Sequence, residues 1–155
     1  MTSHHDEIMT FYFAYHTFTE TADEILSEFG LRRQHHRFLF FIARREGMSL
    51  KELIKVLEIS KQGSHKTLQD LKLQGYIIER NNEQDRRVKH LYLTRKGRLL
   101  EQKLTEAQSK RMHKLFDKGG HDWFEVMHEY ANERQGYRDF VENLMQKSPH
   151  YKEDE

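Results

Sequence analysis

One stretch near the middle of the chain constrains the fold most, because it encodes two short helices with almost no chain between them. Ser49 and Glu52 have the spacing of a capping box and predict the start of the first helix. After a break at residues 58–59, Ser60 is placed to cap a second helix that ends at Gly75. Two helices joined this tightly predict a helix-turn-helix.

The second predicted helix separates its side chains onto two faces. Ser64, Leu68 and Leu71 share one stripe, which is typical of a face packed on a core. The other face is polar and is concentrated toward the N-terminal end: Lys61, Gln62, His65, Lys66 and Gln69. Side chains there can bond base edges or phosphates, and the helix dipole favours an anion. Taken alone, such a pattern is more typical of a solvated polar face.

A predicted β-hairpin follows the helix-turn-helix directly. Residues 76–80 and 88–94 are two runs rich in β-forming side chains, and a polar connection joins them. Leu91 and Leu93 alternate with polar residues, so we expect them to face a core. A hairpin in this position predicts a winged helix, with the polar connection at the tip of the wing.

The predicted wing tip contains two adjacent arginines, Arg86 and Arg87, directly after Asp85. An arginine at such a tip can enter a narrow minor groove of DNA, where the negative potential is enhanced. A nearby carboxylate can hold the guanidinium group in place. The wing therefore predicts a contact with a nucleic acid.

The first predicted helix, over residues 5–30, carries one long apolar stripe. The stripe advances by alternating steps of three and four residues and is strongly aromatic: Ile8, Phe11, Tyr15, Phe18, Ala22, Ile25 and Phe29. A seam of this length favours packing against a second chain. Burial in the core of the same chain is the alternative.

Two further helices are predicted after the wing. Thr94 begins the first, which Gly119 and Gly120 end, and one last helix runs toward Pro149. Gly136 inside that last helix marks either a bend or a close contact. The expected fold class is mainly α with a small β-hairpin wing.

The charge of the chain is near neutral, at +1, but it is unevenly distributed. Residues 61–98 contain ten Lys or Arg against four acidic residues, a net charge of +6, whereas residues 121–155 contain four against nine, a net charge of −5. This asymmetry predicts an anionic partner for the middle of the chain. A solvated charged face is the alternative.

The composition also excludes several classes of function. The chain contains no cysteine, which rules out disulfides, thiolate metal sites and cysteine redox chemistry. No two of its eleven histidines are three or four residues apart, and no phosphate-binding glycine loop or G-x-S-x-G motif occurs. We therefore expect no enzyme, no metal site and no cofactor. No apolar run has the length of a membrane span and no secretory signal occurs, so we expect a cytoplasmic protein without a membrane partner.

A small-molecule pocket is expected near the second helix. His35 and His36 are protonatable groups beside Arg37 and close in sequence to Phe40, a combination that could hold an aromatic carboxylate. His16 on the first helix completes the predicted ligand site. A structural role for these residues is the alternative.

The segment "DRRVKHLYLTRKG" resembles the D-x-R…L-T-x-K-G wing signature of MarR-type transcription regulators. The order of helices around it is also similar to that family over nearly the whole chain. The resemblance implies a homodimeric winged-helix repressor or activator that binds pseudo-palindromic duplex DNA and is often released by a small aromatic ligand. It implies a single domain over 1–155, with an N-terminal dimerisation helix at 5–30, a winged helix-turn-helix at 31–95 and C-terminal dimerisation helices at 96–147.

The same resemblance assigns individual residues. Asp85 matches the supporting carboxylate and Arg87 the arginine that enters the groove, whereas Arg86 occupies a variable position. The end of the signature is matched by Leu93, Thr94, Lys96 and Gly97. Gly63 and His65 depart from the residues common in the family, so the operator sequence is not implied.

The sequence therefore predicts a dimeric, sequence-specific DNA-binding regulator, with a repressor released by a small ligand as the expected form. The alternative is a winged-helix module used for protein contacts. The expected DNA-binding residues are Ser60, Lys61, Gln62, Ser64, His65, Lys66, Asp85, Arg86 and Arg87. The expected dimer interface contains Ile8, Phe11, Tyr15, Phe18, Tyr137, Val141 and Leu144.

Overall fold

The computed structural model describes residues 3–120 and 122–147, which form seven helices, one short 3₁₀ turn and a two-stranded hairpin. In chain order the elements are α1 (His4–Glu28), α2 (Arg33–Arg44), α3 (Leu50–Leu57), α4 (Ser64–Leu73), β1 (Ile77–Asn81), β2 (Lys89–Leu93), α5 (Arg95–Phe116), the 3₁₀ turn (Asp117–Gly119), α6 (Asp122–Ala131) and α7 (Gln135–Lys147). The predicted fold class, mainly α with a hairpin wing, is confirmed.

Helix α2 lies at the centre of the core. Its side chains Phe38, Leu39 and Ile42 are fully buried, and the helix contacts α1, α4, α5 and β2. Helix α1 is buried only toward its C-terminal end, where Ala22 and Leu26 reach the same core. Burial of these apolar side chains supplies the main favourable free energy of folding.

The capping box predicted for α3 is present. Ser49 Oγ accepts a hydrogen bond from Glu52 N at 3.2 Å, and the Glu52 carboxylate accepts from Ser49 N at 3.4 Å. Met48 and Leu53 on either side of this cap are fully buried and anchor the start of the helix-turn-helix. A local signal in the sequence thus sets the entry of the chain into this element.

The start predicted for the next helix is wrong by several residues. Helix α4 begins at Ser64 after Gly63, its N-cap, whose φ of +83° lies in the left-handed region that glycine adopts without strain. Lys61 and Gln62 therefore lie on the turn before α4 rather than in the helix. The Ser60 hydroxyl does not cap α4 but donates to the carbonyl oxygen of Gln62 at 3.3 Å.

The two strands pair antiparallel over five residues each, with Ile77 opposite Leu93 and Asn81 opposite Lys89. Leu91 and Leu93 are buried, which confirms the alternation read from the sequence. The loop before α3 adds two hydrogen bonds to this hairpin, because Gly47 N donates to Leu91 O at 2.8 Å and Leu91 N donates to Met48 O at 2.9 Å.

The end of the wing is fastened to the end of α4. Thr94 Oγ1 donates to Gly75 O at 2.6 Å and accepts from Gly97 N at 3.0 Å, while Lys96 Nζ donates to Gln74 O at 2.7 Å. A Cβ on Gly97 would lie 2.1 Å from the carbonyl oxygen of Tyr76, so only glycine fits there. The T-x-K-G part of the wing signature is thus structural in this protein.

The single last helix predicted from the sequence is two helices, α6 and α7. The chain leaves the helix after Ala131 and re-enters at Gln135. Gly136, in the first turn of α7, is buried where α7 approaches the end of α3. Of the two interpretations of Gly136, the close contact is therefore correct.

Within the described part of the chain, no helix has the length and apolarity that crossing a membrane would require.

Candidate nucleic-acid interface

The N-terminal end of α4 presents a polar surface. The residues on the turn and on the outer face of the helix are exposed: Ser60, Lys61, Gln62, His65, Lys66 and Gln69. The opposite face of α4 is anchored in the core by Thr67, Leu68 and Leu71. The helix is thus held on one side, while the other side remains free to meet a partner.

Ser64 does not belong to that surface, although the sequence predicted a DNA contact for it. Its side chain is 0% exposed, and its hydroxyl donates to the carbonyl oxygen of Ser60 at 2.8 Å. The bond closes the turn that leads into α4. Ser64 therefore supports the surface from behind and cannot contact a partner with its side chain.

The wing tip is an ordered turn. Asn82 Oδ1 accepts from Gln84 N at 2.8 Å and from Asp85 N at 3.2 Å, and Asp85 O accepts from Val88 N at 3.0 Å. Asn82 is absent from the predicted site, although an asparagine directly after a strand commonly forms this kind of turn. The tip is therefore shaped by side chains that bond the backbone.

Asp85 acts on its neighbour differently from the prediction. Its Oδ1 accepts a hydrogen bond from the backbone N–H of Arg87 at 3.0 Å. Among residues 3–120 and 122–147, no ion pair joins this carboxylate to the Arg87 guanidinium. Asp85 thus positions the main chain of Arg87, while the side chains of Arg86 and Arg87 extend into solvent.

Part of the positive charge of the central segment is engaged within the chain. Lys72 and Lys89 both contact the carboxylate of Glu79, at 3.2 and 3.5 Å. The Arg98 guanidinium lies 2.9 Å from a Glu46 carboxylate oxygen. Lys96, which bonds the end of α4, is likewise occupied. The number of basic residues in the segment therefore overstates the number of cations that are free to meet a partner.

Six cations of the segment remain outside such pairs. Lys61, Lys66, Arg80, Arg86, Arg87 and Arg95 are exposed, and within the described residues none of them forms an ion pair. Four of the six belong to the predicted site: Lys61 and Lys66 at the start of α4, and Arg86 and Arg87 at the wing tip. The sequence alone gives no means of separating these cations from the paired ones.

An open groove of about 320 Å³ lies between α1, α2 and α5. Its wall combines aromatic rings with basic groups: Tyr15, Phe18, Arg33, His36, Arg37, Phe40 and Phe41. Two residues of the predicted ligand site, His36 and Phe40, line the groove. The other two, His16 and His35, do not.

His35 holds α2 in place instead of facing the groove. Its Nδ1 accepts from the backbone N–H of Arg32 at 2.9 Å, and its Nε2 lies 3.0 Å from a carboxylate oxygen of Asp70 on α4. His16 is exposed on α1, with its ring 6.3 Å from that of Tyr12. These contacts favour the alternative interpretation, a structural role, for His35.

His36 is a buried histidine whose Nε2 has no hydrogen-bond partner among the described residues. Burial lowers the pKa of His36 below its ordinary value, because the charged ring would lose its hydration. Glu101 opposes this shift of the pKa, whereas Arg37 and Arg44 add to it. His36 therefore favours its neutral form in the folded protein.

The residues predicted for a dimer interface fall into two groups. Ile8, Phe11, Tyr15 and Phe18 are exposed on α1, with Ile8 71% exposed. Tyr137 is half-buried and its hydroxyl lies 2.8 Å from Nδ1 of His128, within the same chain. Val141 is half-buried on α7, and the side chain of Leu144 lies outside the described residues.

The described residues contain no group of three or more His, Asp or Glu side chains that could hold a metal ion.

Comparison with known proteins gives the family. A family model described as "MarR family" matches residues 29–88. The HTH-type transcriptional regulator PetP of Rhodobacter capsulatus is 39% identical over 113 residues, which are 73% of this chain and 68% of PetP.

Solved structures agree with this assignment. FabT of Streptococcus pneumoniae, in a complex with DNA, is 25% identical with a TM-score of 0.67, over 90% of this chain and 96% of FabT. A MarR transcriptional regulator from Methanosarcina mazei shares the fold, with a TM-score of 0.68 and 20% identity over 86% of this chain and 94% of that one. The family is one of transcriptional regulators rather than an enzyme class, and this chain belongs to it: it is a DNA-binding winged helix-turn-helix regulator of the MarR family.

Proposed function

We propose that this protein is a homodimeric cytoplasmic repressor that binds a pseudo-palindromic DNA duplex in a sequence-specific way and is released by a small aromatic acid. The observation that carries the DNA-binding part is the distribution of unpaired cations. Lys61, Lys66, Arg86 and Arg87 are exposed at the start of α4 and at the wing tip, and none of them forms an ion pair in the described chain. Neutralisation of phosphates by such cations dominates the affinity of proteins for DNA.

Helix α4 and the wing tip suit the two grooves of a duplex. Helix α4, with its polar N-terminal end exposed, enters the major groove, where Gln62, His65 and Lys66 meet base edges. The wing reaches the neighbouring minor groove, where Arg87 enters and Arg86 contacts phosphate. The DNA in the FabT complex supports this role for the shared fold.

Dimerisation is supported by the apolar half of α1. Phe11, Tyr15 and Phe18 follow Ile8 along one stripe and are exposed in the single chain, an arrangement that monomers rarely leave uncovered. The exposed apolar residues of α6, among them Val126, extend the candidate interface. A second copy would cover both regions and would place two wings and two α4 helices on successive half-sites.

The groove between α1, α2 and α5 is the proposed ligand site. Arg37 is exposed at its wall and forms no ion pair within the described chain, whereas Arg33 is held by Asp23 at 2.7 Å. A carboxylate on Arg37 with an aromatic ring against Phe40 fits this lining. Such a ligand releases the protein only if it binds the free dimer more tightly than the DNA-bound dimer.

Selection of bound duplexes from a random pool with the purified protein tests the proposal. We expect one pseudo-palindromic motif, and we expect Gln62→Ala and His65→Ala to change the selected bases. Wild-type base preferences in both variants would overturn the assignment of base reading to α4. Titration of aromatic acids against the operator complex tests release, and no release at any attainable concentration would overturn the ligand part.

Salt dependence separates this function from the alternative, a winged-helix module for protein contacts. Binding to a duplex should weaken log-linearly with salt, with a slope set by the phosphates neutralised. Removing one unpaired cation by Lys61→Ala should reduce that slope by about one. Arg98→Gln is the matched control, because Arg98 is already paired with Glu46. Equal slopes for the two variants would contradict the assignment.

A further inference from the structure

The orientation of the Asn82 side chain is set by two backbone amides. Its Oδ1 accepts from Gln84 N at 2.8 Å and from Asp85 N at 3.2 Å. The amide nitrogen occupies the other branch of the side chain, so Nδ2 must point away from those N–H groups. Nδ2 lies 3.0 Å from Nε2 of His90 on β2. Asn82 is therefore a hydrogen-bond donor toward His90.

His90 is constrained from its other side as well. Its Nδ1 lies 2.6 Å from the carbonyl oxygen of Gly47, in the loop between α2 and α3. A carbonyl oxygen only accepts, so Nδ1 carries the proton and Nε2 is left to accept from Asn82. Both bonds together require the neutral imidazole with its proton on Nδ1. The half-buried ring thus links the loop that leads into the helix-turn-helix to the wing.

These bonds form one continuous path to the wing tip. The path runs from Gly47 through the ring of His90 and the amide of Asn82 to the backbone of Asp85, whose carboxylate accepts from Arg87 N at 3.0 Å. We propose that Asn82 and His90 are positioning residues for DNA binding, which hold the wing tip, and Arg87 with it, at a fixed place relative to the helix-turn-helix. This inference rests on the proposed function, in which the wing tip contacts the duplex.

The charged groups around His90 would not stabilise the positive charge that a second proton gives to its ring. Arg80 stands opposite His90 in the strand register and carries positive charge. From the loop side, Glu46 is engaged by Arg98 at 2.9 Å, and from the tip, the Asp85 carboxylate bonds the backbone. Within the described residues, no carboxylate lies at ion-pair distance from the His90 ring. A proton on Nε2 would therefore face only the amide donor and break the path.

With Asn82, Nε2 of His90 must be unprotonated to accept the hydrogen bond, and replacing Asn82 by Asp reverses this requirement. The carboxylate still offers an oxygen to the backbone amides of Gln84 and Asp85, but it presents a second acceptor to His90 instead of a donor. In N82D the path forms only when Nε2 carries a proton. Asn81→Asp is the matched control, because exposed Asn81 is the neighbouring residue and its replacement adds the same charge to the wing.

The test compares the affinities of N82D and N81D for the operator selected with the wild-type protein. Fluorescence anisotropy at constant ionic strength, from about pH 8 to about pH 5, covers the range in which histidines change charge. We expect N82D to bind about fivefold more weakly than N81D at the alkaline end, the effect of losing one hydrogen bond. The ratio of the two operator affinities should approach one as the pH falls. Effects of pH on the rest of the interface are common to both variants and cancel in the ratio, and circular dichroism at each pH verifies folding.

Two further measurements test whether the pH dependence comes from His90. In a His90→Phe background neither variant can form the path, so the ratio should no longer depend on pH. Nitrogen-15 NMR of the free wild-type protein should find the neutral His90 ring protonated at Nδ1. A pH-independent ratio with His90 present, or a ring protonated at Nε2, would overturn the inference. Absence of duplex binding by the wild-type protein would overturn the proposed function instead, and the role of this pair with it.

Discussion

Gly136 lies so close to the end of α3 that a Cβ on it would be 2.1 Å from the carbonyl oxygen of Val56. Beside this contact, the Arg134 guanidinium lies 2.6 Å from a carboxylate oxygen of Glu58. Helix α7 therefore rests directly on the residues that lead into the turn before α4. The end of α3 thus connects α7 to the turn before α4 within one chain.

Gly136→Ala is expected to push α7 away from α3. Overpacking of this kind costs about 1–3 kcal/mol, because backbone or neighbouring groups must shift to admit the methyl group. We expect a lower free energy of unfolding in urea and weaker operator binding. Gly119→Ala is the matched control, since nothing lies within 4 Å of a Cβ built there. If the two variants had equal stability, the contact between α7 and α3 would not exist in solution.

His36 is expected to make the folded state less stable in acid. Its pKa is lowered by burial, while in the unfolded chain it returns to about 6.5. As the pH falls below about 6.5, the unfolded state binds a proton that the folded state resists, so the free energy of unfolding decreases. The loss is complete once the pH has passed below the lowered pKa of the folded state.

Melting temperatures measured against pH check this prediction. His36→Gln should flatten the acid side of the profile, because glutamine does not titrate. His16→Gln is the control, as His16 is an exposed histidine on α1. A profile for His36→Gln that keeps the full wild-type slope would show that another group carries the acid sensitivity.

Local signals in the sequence were sufficient for much of the fold. The Ser49 cap and the alternation at Leu91 and Leu93 involve residues within a few positions of each other, and the structure confirms both. The start of α4 could not be read in the same way. Ser60 has the chemistry of a cap, but the positive φ of Gly63 places the cap three residues later.

Contacts distant in sequence were beyond such reasoning. The pairing of Glu79 with Lys72 and Lys89 engages two cations of the segment, and it depends on how the hairpin packs against α4. The link between Asn82 and His90 depends on the strand register in the same way. The sequence therefore predicts which segments form the candidate site better than it predicts which of their side chains are engaged by other residues of the chain.

The proposed dimer interface leads to a prediction about the mass of the protein in solution. Phe11→Glu combined with Phe18→Glu places two charges in the exposed seam of α1, where burial against a second copy would leave them unpaired. We expect a monomer in sedimentation velocity and weaker operator binding. For the mass, Leu73→Glu is the control, because Leu73 is 84% exposed and lies on α4, outside the seam. A double variant that stays dimeric at micromolar concentration would count against the seam.

The two wing arginines should differ in their effects on binding. Arg87→Ala is expected to cost about 1–3 kcal/mol of binding free energy and to relax the preference for A·T-rich flanks, because a groove contact and its reading of DNA shape are lost together. Arg86→Ala should weaken all sequences alike and reduce the salt slope by about one. Affinities for the selected operator and for G·C-flanked versions measure both effects. Wild-type affinity of a folded Arg87→Ala variant would refute the role of the wing.

Substitutions of Asp85 distinguish two ways in which this residue could position Arg87. If the carboxylate holds the guanidinium by charge, Asp85→Asn and Asp85→Ala should weaken operator binding equally. The structure predicts a different outcome, because Asp85 Oδ1 accepts from the backbone N–H of Arg87 at 3.0 Å, and an asparagine oxygen can accept the same bond. Asp85→Asn should therefore bind close to wild type, while Asp85→Ala should lose about 0.5–1.5 kcal/mol of binding free energy, the usual contribution of one hydrogen bond. Equal losses in the two variants, measured at constant ionic strength, would restore the charge-based interpretation.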